Sequence, residues 1–113
     1  MIVFYHNNRC KKSREALELV REKTDQVKII DYLKIPPTEK ELSNILKLLG
    51  IPATDLIRKN EDLYKTKFKD KILSNQEWIK ILHHNPILIE RPIIINGNKA
   101  IIGRPIEKVI EFI

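Results

Sequence analysis

A single cysteine, Cys10, lies in a polar and basic stretch that runs from His6 to Arg14. The apolar run from Ile2 to Tyr5 precedes this stretch, and a helical pattern follows it. A strand that leads into a helix would place the sulfur beside unpaired backbone N–H groups at the positive end of the helix dipole, where a thiol ionises more easily. The position therefore predicts a nucleophilic thiolate, whereas most isolated cysteines are small buried hydrophobic residues.

Several neighbours of Cys10 carry side chains that could support a thiolate. Ser13, one helical turn further along, could donate a hydrogen bond to the sulfur. His6 could orient or polarise the thiol, or could simply end the strand, and the sequence leaves both interpretations open. Positive charge is expected from the adjacent basic residues, which are Arg9, Lys11, Lys12 and Arg14.

Three arginines, Arg58, Arg91 and Arg104, each stand at the edge of a predicted element. Guanidinium groups form bidentate hydrogen bonds with tetrahedral oxyanions. If the three converged on Cys10, they would bind such an anion and stabilise the charge that moves during nucleophilic attack. The alternative is three unrelated surface arginines, and sequence spacing does not distinguish the two arrangements.

The length of 113 residues, with 42% apolar and 32% charged residues, predicts one compact domain. One cysteine permits no internal disulfide, so an oxidised Cys10 would need a thiol from another molecule, and a reducing compartment suits the chain. No apolar run approaches the roughly 20 residues that span a bilayer, and the chain begins with a strand pattern instead of a signal sequence. We therefore expect a cytoplasmic protein with no membrane partner.

The net charge of +6 raises the question of nucleic acid binding, but the 21 basic residues are interspersed with 15 acidic ones and aromatic residues are few. The densest basic run, Lys65 to Lys71, is interpreted as solvated surface. We expect no direct contact with nucleic acid, and the positive balance suits a small anionic substrate. The adjacent His83 and His84 have no carboxylate or cysteine at ligand spacing, so no metal site is predicted.

The first half of the pattern predicts a strand over Ile2–Tyr5, a helix over Lys11–Lys23 and a strand over Val27–Tyr32. The inner face of the helix is expected to carry Ala16, Leu17 and Val20. A strand, a helix and a second strand in this order form a right-handed crossover with parallel strands.

The rest of the pattern predicts a helical insertion at about residues 38–85, then a β-hairpin, then a final helix. Within the insertion, Thr38 and Ser74 each begin a capping box, and a short helical piece is expected near residues 54–59. The inward residues expected for the last two helices are Trp78, Ile81 and Leu82, and Ile106, Val109, Ile110 and Ile113. The order of elements predicts a single α/β domain, residues 1–113, with a thioredoxin-like fold.

Several short segments spread over nearly the whole chain match one known family. They are Tyr5-His6-Asn7 with Cys10 and Ser13-Arg14, Tyr32-Leu33, Pro36-Pro37-Thr38, Leu56-Ile57-Arg58-Lys59-Asn60, His84-Asn85-Pro86-Ile87-Leu88-Ile89, Arg91-Pro92-Ile93 and Arg104-Pro105. On these segments the chain resembles the glutaredoxin-coupled arsenate reductases, a thioredoxin-fold family that is related to the Spx regulators.

The resemblance implies an oxidoreductase that reduces arsenate to arsenite. Cys10 would attack arsenate, and His6 and Ser13 would support its thiolate. Pro92 would be the cis-proline beside the active site. The substrate-binding residues that the resemblance implies are Asn7, Arg58, Arg91, Pro92 and Arg104, and the three arginines would also take part in catalysis.

The resemblance also implies glutathione as a co-substrate and glutaredoxin as a partner, with no bound cofactor. Glutathione would attack the arsenylated Cys10, arsenite would leave, and glutaredoxin would reduce the mixed disulfide. A single cysteine agrees with a cycle that uses external thiols. Lys11 and Lys12 occupy positions where the family often has small residues, and they could either strengthen anion binding or crowd the incoming glutathione.

Two other functions stay open at this point. The first is a Spx-like transcriptional regulator that binds RNA polymerase, although such proteins usually carry a Cys-x-x-Cys switch and this chain has Ser13 in the second position. The second is a family member that acts on another thiol-linked substrate.

Overall fold

The computed structural model describes residues 1–113, which form four strands and four α-helices. The strands are β1 (Ile2–His6), β2 (Val27–Asp31), β3 (Ile93–Asn96) and β4 (Lys99–Ile102). The helices are α1 (Lys11–Lys23), α2 (Glu39–Leu49), α3 (Asn75–His84) and α4 (Ile106–Phe112). Short helical turns cover Ala53–Leu56, Tyr64–Phe68 and Pro86–Leu88.

The chain divides into two compact units. The first unit combines Met1–Ile35 with Arg91–Ile113, and the second unit is Pro36–Glu90. The expected insertion at residues 38–85 falls within the second unit, and the organisation as one domain stays a prediction. No helix has both the length and the apolar character needed to cross a membrane.

The first unit is built on a sheet with the strand order β2-β1-β3-β4. The β1 and β2 strands are parallel, and the crossover helix α1 lies between them in sequence, as the pattern predicts. The β3 strand runs antiparallel to β1 and forms a hairpin with β4, in which Gly97 adopts a φ of +63°. This parallel unit followed by a hairpin and a helix is the thioredoxin-like arrangement expected from the sequence.

The core of the first unit lies between the sheet and the helices α1 and α4. The predicted inner face of α1 is confirmed, since Ala16, Leu17 and Val20 are buried together with Phe4 and Ile94. These side chains fix the start of α1 against the end of β1. The segment between those two elements contains Cys10.

The helix α4 packs on this core through part of the expected face. Val109 is buried and Ile113 packs against the core, as predicted, but Ile110 is 56% exposed and Phe112 packs against the core in its place. The reason is helical geometry, because residues three and four positions beyond Val109 share its face while the next residue does not. The inward assignment of Ile110 was wrong.

Gly103 connects β4 to Arg104 at a point where no side chain fits. A Cβ atom at this position would lie 2.9 Å from Cγ of Pro92 and 3.0 Å from Cγ2 of Val109. The backbone N–H of Gly103 also donates to the carbonyl of Pro92 at 2.8 Å. Close packing therefore fixes the backbone that carries Arg104.

In the second unit, α2 and α3 both begin with the capping boxes predicted at Thr38 and Ser74. The α3 helix buries Trp78, Ile79 and Leu82, so Ile79 takes the inward place expected for Ile81, which is only half-buried. The face is rotated because α3 packs against α2 and also against the turns on either side of it in sequence. Single-helix periodicity does not reveal those additional neighbours.

Candidate active site

The segment between β1 and α1 is a short turn held by Asn7. The backbone carbonyl of Asn7 accepts a hydrogen bond from the N–H of Cys10, and its Oδ1 accepts one from the N–H of Arg9, both at 3.0 Å. Cys10 has extended backbone angles, with φ −94° and ψ 118°, and is the N-cap residue of the 13-residue helix α1. The sulfur thus lies at the N-terminus of a helix, as the sequence predicts.

The beginning of α1 lacks the features that usually neutralise a helix N-terminus. Its first turn has no acidic residue, and its N-cap residue makes no standard capping hydrogen bond through the side chain. The first backbone N–H groups of a helix have no intrahelical acceptor, and they carry the positive end of its dipole. This end of α1 therefore favours a negative charge at Cys10.

Two arginines from the other end of the chain reach the sulfur. Nη2 of Arg104 donates a hydrogen bond to Sγ of Cys10 at 3.2 Å, while its Nε donates to the backbone carbonyl of Arg91 at 2.7 Å. The side chain of Arg91 acts on the sulfur by hydrogen bonding and by charge, and Arg91 is only 9% exposed. The structure thus brings Cys10, Arg91 and Arg104 together, as expected for two of the three arginines.

These contacts change the ionisation of the thiol. Burial by itself raises the pKa of Cys10, but the backbone N–H of Ser13, the hydrogen bond and charge of Arg91 and the charge of Arg104 together lower it to about 7. Cys10 is half-buried and carries no disulfide. The thiolate, which is the nucleophilic form, is therefore more populated near neutral pH than in a free cysteine.

The positive charge comes from a different source than the sequence suggests. The largest charges that lower the pKa of Cys10 are those of Arg91 and Arg104. Among the adjacent basic residues, Arg14 instead donates to the carbonyl of Asn8 at 2.8 Å, and Lys11 makes a loose contact with Glu15 at 4.0 Å. Exposed side chains of this kind are well screened by solvent.

His6 and Ser13 are buried and contact each other. Nδ1 of His6 lies 2.7 Å from Oγ of Ser13, and the same oxygen accepts a hydrogen bond from the N–H of Asn7 at 3.2 Å. Burial lowers the pKa of His6, the charges of Arg21 and Arg14 lower it further, and the carboxylate of Asp31 opposes them. In a neutral imidazole, an unprotonated Nδ1 can accept a hydrogen bond from the hydroxyl group of Ser13.

The contact of Ser13 with the sulfur therefore differs from the expected one. Its hydroxyl group is engaged by His6 and Asn7, so the hydroxyl donation to Cys10 expected from the sequence was wrong. It is the backbone N–H of Ser13 that favours the thiolate. Spacing along the helix shows that Ser13 lies near Cys10, but it does not show which of two nearby acceptors the hydroxyl will choose.

The remaining predicted site residues lie as follows. The peptide bond between Arg91 and Pro92 is cis, as the resemblance implies, and Pro92 is buried. Arg58 belongs to the second unit, where its Nε donates to Oε1 of Glu61 at 2.9 Å. Substrate binding by Asn7, Pro92 and Arg58 stays a prediction.

Two partners of the site residues were missed by sequence reasoning, and both leave a signal in the sequence. Asp31 ends β2 opposite His6, which ends β1, so a parallel register of the two strands indicates their proximity. Glu61 follows Arg58 by three residues, a spacing at which side chains meet on a helical turn. His83, by contrast, donates from Nδ1 to the carbonyl of Pro37 at 2.7 Å, and no group of three or more potential metal ligands is found.

Comparisons with known proteins agree with this architecture. Residues 5–112 match the ArsC family. An arsenate reductase from Haemophilus influenzae is 43% identical over 114 residues, covering 99% of this chain and 98% of the relative. An arsenate reductase from Escherichia coli K12 is 36% identical over 114 residues, covering 99% of this chain and 80% of the relative.

Among solved structures, an arsenate reductase from Vibrio cholerae superposes with a TM-score of 0.92 at 36% identity, covering 99% of this chain and 97% of that one. Sequence and backbone thus agree over almost the full length. The chain belongs to the ArsC family and has its thioredoxin-like fold.

Proposed function

We propose that this protein is an oxidoreductase that reduces arsenate to arsenite, with Cys10 as the nucleophile and with glutathione and glutaredoxin as the source of electrons. The observation that carries the proposal is the contact between Sγ of Cys10 and the guanidinium group of Arg104 at 3.2 Å, with Arg91 acting on the same sulfur. A cationic pair at a thiolate suits a tetrahedral oxyanion. Among possible oxyanions we choose arsenate, because the relatives include proteins named arsenate reductase.

In the first step, the Cys10 thiolate attacks the arsenic atom. An S–As bond forms, and one arsenate oxygen leaves as water after it has taken up protons. The negative charge moves from sulfur to the arsenate oxygens during this step. Arg91 and Arg104 hold their positive charges at the place where this shift occurs, so they stabilise the transition state more than the free substrate.

In the second step, a glutathione thiolate attacks the Cys10 sulfur. An S–S bond forms and the S–As bond breaks, and its electron pair stays on arsenic, which leaves as arsenite. Glutaredoxin then reduces the mixed disulfide by thiol–disulfide exchange, which restores Cys10. The chain has no second cysteine that could perform this reduction internally.

The other parts of the proposal follow from the same cycle. Asn7 holds the turn that carries Cys10, and His6 and Ser13 hold the beginning of α1. The part of Arg58 in oxyanion binding is proposed on the family resemblance alone. The protein has no bound cofactor, because electrons arrive through the thiols. A cytoplasmic location suits a protein whose single cysteine must stay reduced between turnovers.

The test is arsenate-dependent oxidation of NADPH in the presence of glutathione, glutaredoxin and glutathione reductase. We expect turnover with the wild-type protein, none with Cys10→Ser, and none when glutathione or glutaredoxin is omitted. Arg9→Ala is the control, since Arg9 is adjacent to Cys10 in sequence but is exposed. Absence of turnover with wild type would refute the proposal and would favour a regulator or a different substrate.

A further inference from the structure

A small cleft of about 170 Å³ lies beside the candidate active site in the first unit. It is lined by Lys12 and Glu15 from the first two turns of α1, by Glu107 from the first turn of α4, and by Arg104. Cys10 does not itself line the cleft, but Arg104, which does, also contacts Sγ of Cys10 at 3.2 Å through its guanidinium group. Arg104 therefore links the cleft to the nucleophile.

The charges around the cleft are of both signs. Lys12 and Arg104 supply two positive charges, and Glu15 and Glu107 supply two negative ones. The only ion pair that involves Glu15 is the contact with Lys11 at 4.0 Å, in which both side chains are largely exposed, so its carboxylate keeps most of its capacity for other partners. A purely anionic ligand would be repelled by the two carboxylates, whereas a ligand with an ammonium and a carboxylate group would find a partner for each.

We propose that this cleft binds the thiol co-substrate and selects a thiol that carries both an amine and a carboxylate. The inference rests on the proposed function, in which an external thiol attacks the Cys10 sulfur. Lys12 pairs with the carboxylate of the thiol, Glu15 and Glu107 pair with its ammonium group, and Ile106 contacts its methylene groups. The volume corresponds to about six water molecules, so the cleft takes one end of a glutathione-sized ligand.

The proposal also decides between the two roles considered for Lys12. A lysine at the second position of α1 was expected either to strengthen anion binding or to crowd glutathione. Its place on the wall of a mixed-charge cleft assigns it to binding the incoming thiol. Lys12 is thus a specificity determinant and does not take part in bond formation.

The inference is tested by thiol–disulfide exchange, which needs no arsenate. The Cys10 thiolate attacks one sulfur of an added disulfide, a new S–S bond forms, the old S–S bond breaks, and the departing thiolate takes a proton from water. Intact-protein mass spectrometry gives the rate with three probes. They are glutathione disulfide, which carries both charges, dithiodipropionate, which carries only carboxylates, and hydroxyethyl disulfide, which is neutral.

For wild type we expect glutathione disulfide to react at least fivefold faster than either other probe at 0.15 M ionic strength. Lys12→Ala and Glu107→Gln should each reduce this preference at least threefold while the rate with hydroxyethyl disulfide stays the same. The matched controls are Lys28→Ala, on β2, and Glu111→Gln, one turn further along α4, both exposed and outside the cleft. Neither control should change the preference.

Equal rates of the wild-type protein with all three probes would overturn the inference. So would variants Lys12→Ala and Glu107→Gln that lose as much rate with hydroxyethyl disulfide as with glutathione disulfide, because that result would mean a change in the reactivity of the Cys10 thiolate. The outcome is separate from the test of the proposed function. A preference for glutathione disulfide without arsenate turnover supports the cleft and refutes the reaction, while arsenate turnover without a preference does the reverse.

Discussion

The helices α1 and α3 begin in opposite ways. In α3, Oγ of Ser74 accepts the N–H of Glu77, and Oε1 of Glu77 accepts the N–H of Ser74 in return, at 3.1 and 3.0 Å. In α1, Cys10 occupies the N-cap position without a standard side-chain cap, and no acidic residue follows in the first turn. In α3 the first N–H groups are thus hydrogen-bonded by the capping box. In α1 no such cap is present, and the positive end of the helix dipole acts on the sulfur of Cys10.

The third helical position shows the same contrast. In α2 and α3 it is a glutamate, Glu41 or Glu77, whose side chain returns to the cap residue. In α1 it is Ser13, whose hydroxyl contacts His6 and the N–H of Asn7 instead. The side chain therefore ties the helix to the end of β1, and only its backbone N–H favours the thiolate.

The largest effect is expected from a substitution that gives α1 an ordinary N-cap residue. Cys10→Ser removes the nucleophile, and we expect arsenate-dependent NADPH oxidation to fall to the background rate. Serine is also a preferred N-cap residue, so the free energy of unfolding at pH 6 should rise by about 0.5 to 1 kcal/mol. Denaturant titration measures the second effect, and a variant that is both inactive and unfolded would remove this interpretation.

The stability difference between wild type and Cys10→Ser should also depend on pH. The pKa of Cys10 is lowered to about 7 in the folded protein, so the thiolate stabilises the folded state. That contribution is complete above the pKa of an unfolded cysteine, about 8.5, and is lost as the pH falls through 7. The advantage of serine should therefore be largest at pH 6 and smaller at pH 9, and a constant difference would contradict the lowered pKa.

Removing the cations that act on the sulfur is the next largest change. Arg104→Ala and Arg91→Ala should each lower turnover at least tenfold, which corresponds to about 1.4 kcal/mol of transition-state stabilisation. Both should shift the pH dependence of Cys10 alkylation by iodoacetamide to higher pH. Because Arg91 is buried, its replacement could also disturb the fold. Arg104→Lys should therefore be measured as well, since it keeps the positive charge and removes only the hydrogen-bonding geometry of the guanidinium group. Arg9→Ala should leave both measurements unchanged.

Ser13→Ala should affect stability more than reactivity. It leaves two buried partners, Nδ1 of His6 and the N–H of Asn7, without the hydroxyl, which costs about 1 to 3 kcal/mol of unfolding free energy. The alkylation profile of Cys10 should move little, because the backbone N–H of residue 13 remains. A shift of that profile as large as the one caused by Arg104→Ala would mean that the hydroxyl acts on the sulfur after all.

The smallest effect is expected from the cap of α3. Ser74→Ala should lower the free energy of unfolding by about 1 kcal/mol and leave both the turnover and the alkylation profile of Cys10 unchanged. Thermal unfolding and the NADPH assay measure the two quantities. Loss of activity without loss of stability would show that the end of α3 has a function beyond the fold.

The sequence predicts those parts of the site that depend on local pattern. The bounds of α1 and the position of Cys10 at its beginning follow from a polar segment between an apolar run and a helical period, and both are confirmed. The contact of Arg104 with Cys10 joins residues 94 positions apart, so no local pattern predicts it. The family resemblance identified Arg91 and Arg104 as site residues, but their proximity to the sulfur of Cys10 is seen only in the folded structure.

The errors share one physical cause, which is competition among neighbours. The hydroxyl of Ser13 had more than one possible acceptor, and the helical period of α3 allowed either Ile79 or Ile81 to face inward. For Ser13 the competing partners are His6 and Asn7, on the preceding strand and turn. For α3 they include α2 and the short helical turns before and after α3. Periodicity limits the choices, and packing decides among them.

The tight contact at Gly103 makes the chemistry sensitive to a position that never touches the reacting atoms. A single added methyl group would meet Pro92 on one side and Val109 on the other, so either the end of β4 or the start of α4 would have to move. Arg104 is the next residue and would move with the backbone. We therefore expect fewer amino acids to be tolerated at position 103 than at exposed positions, because one added carbon would displace the guanidinium group of Arg104 from Sγ of Cys10.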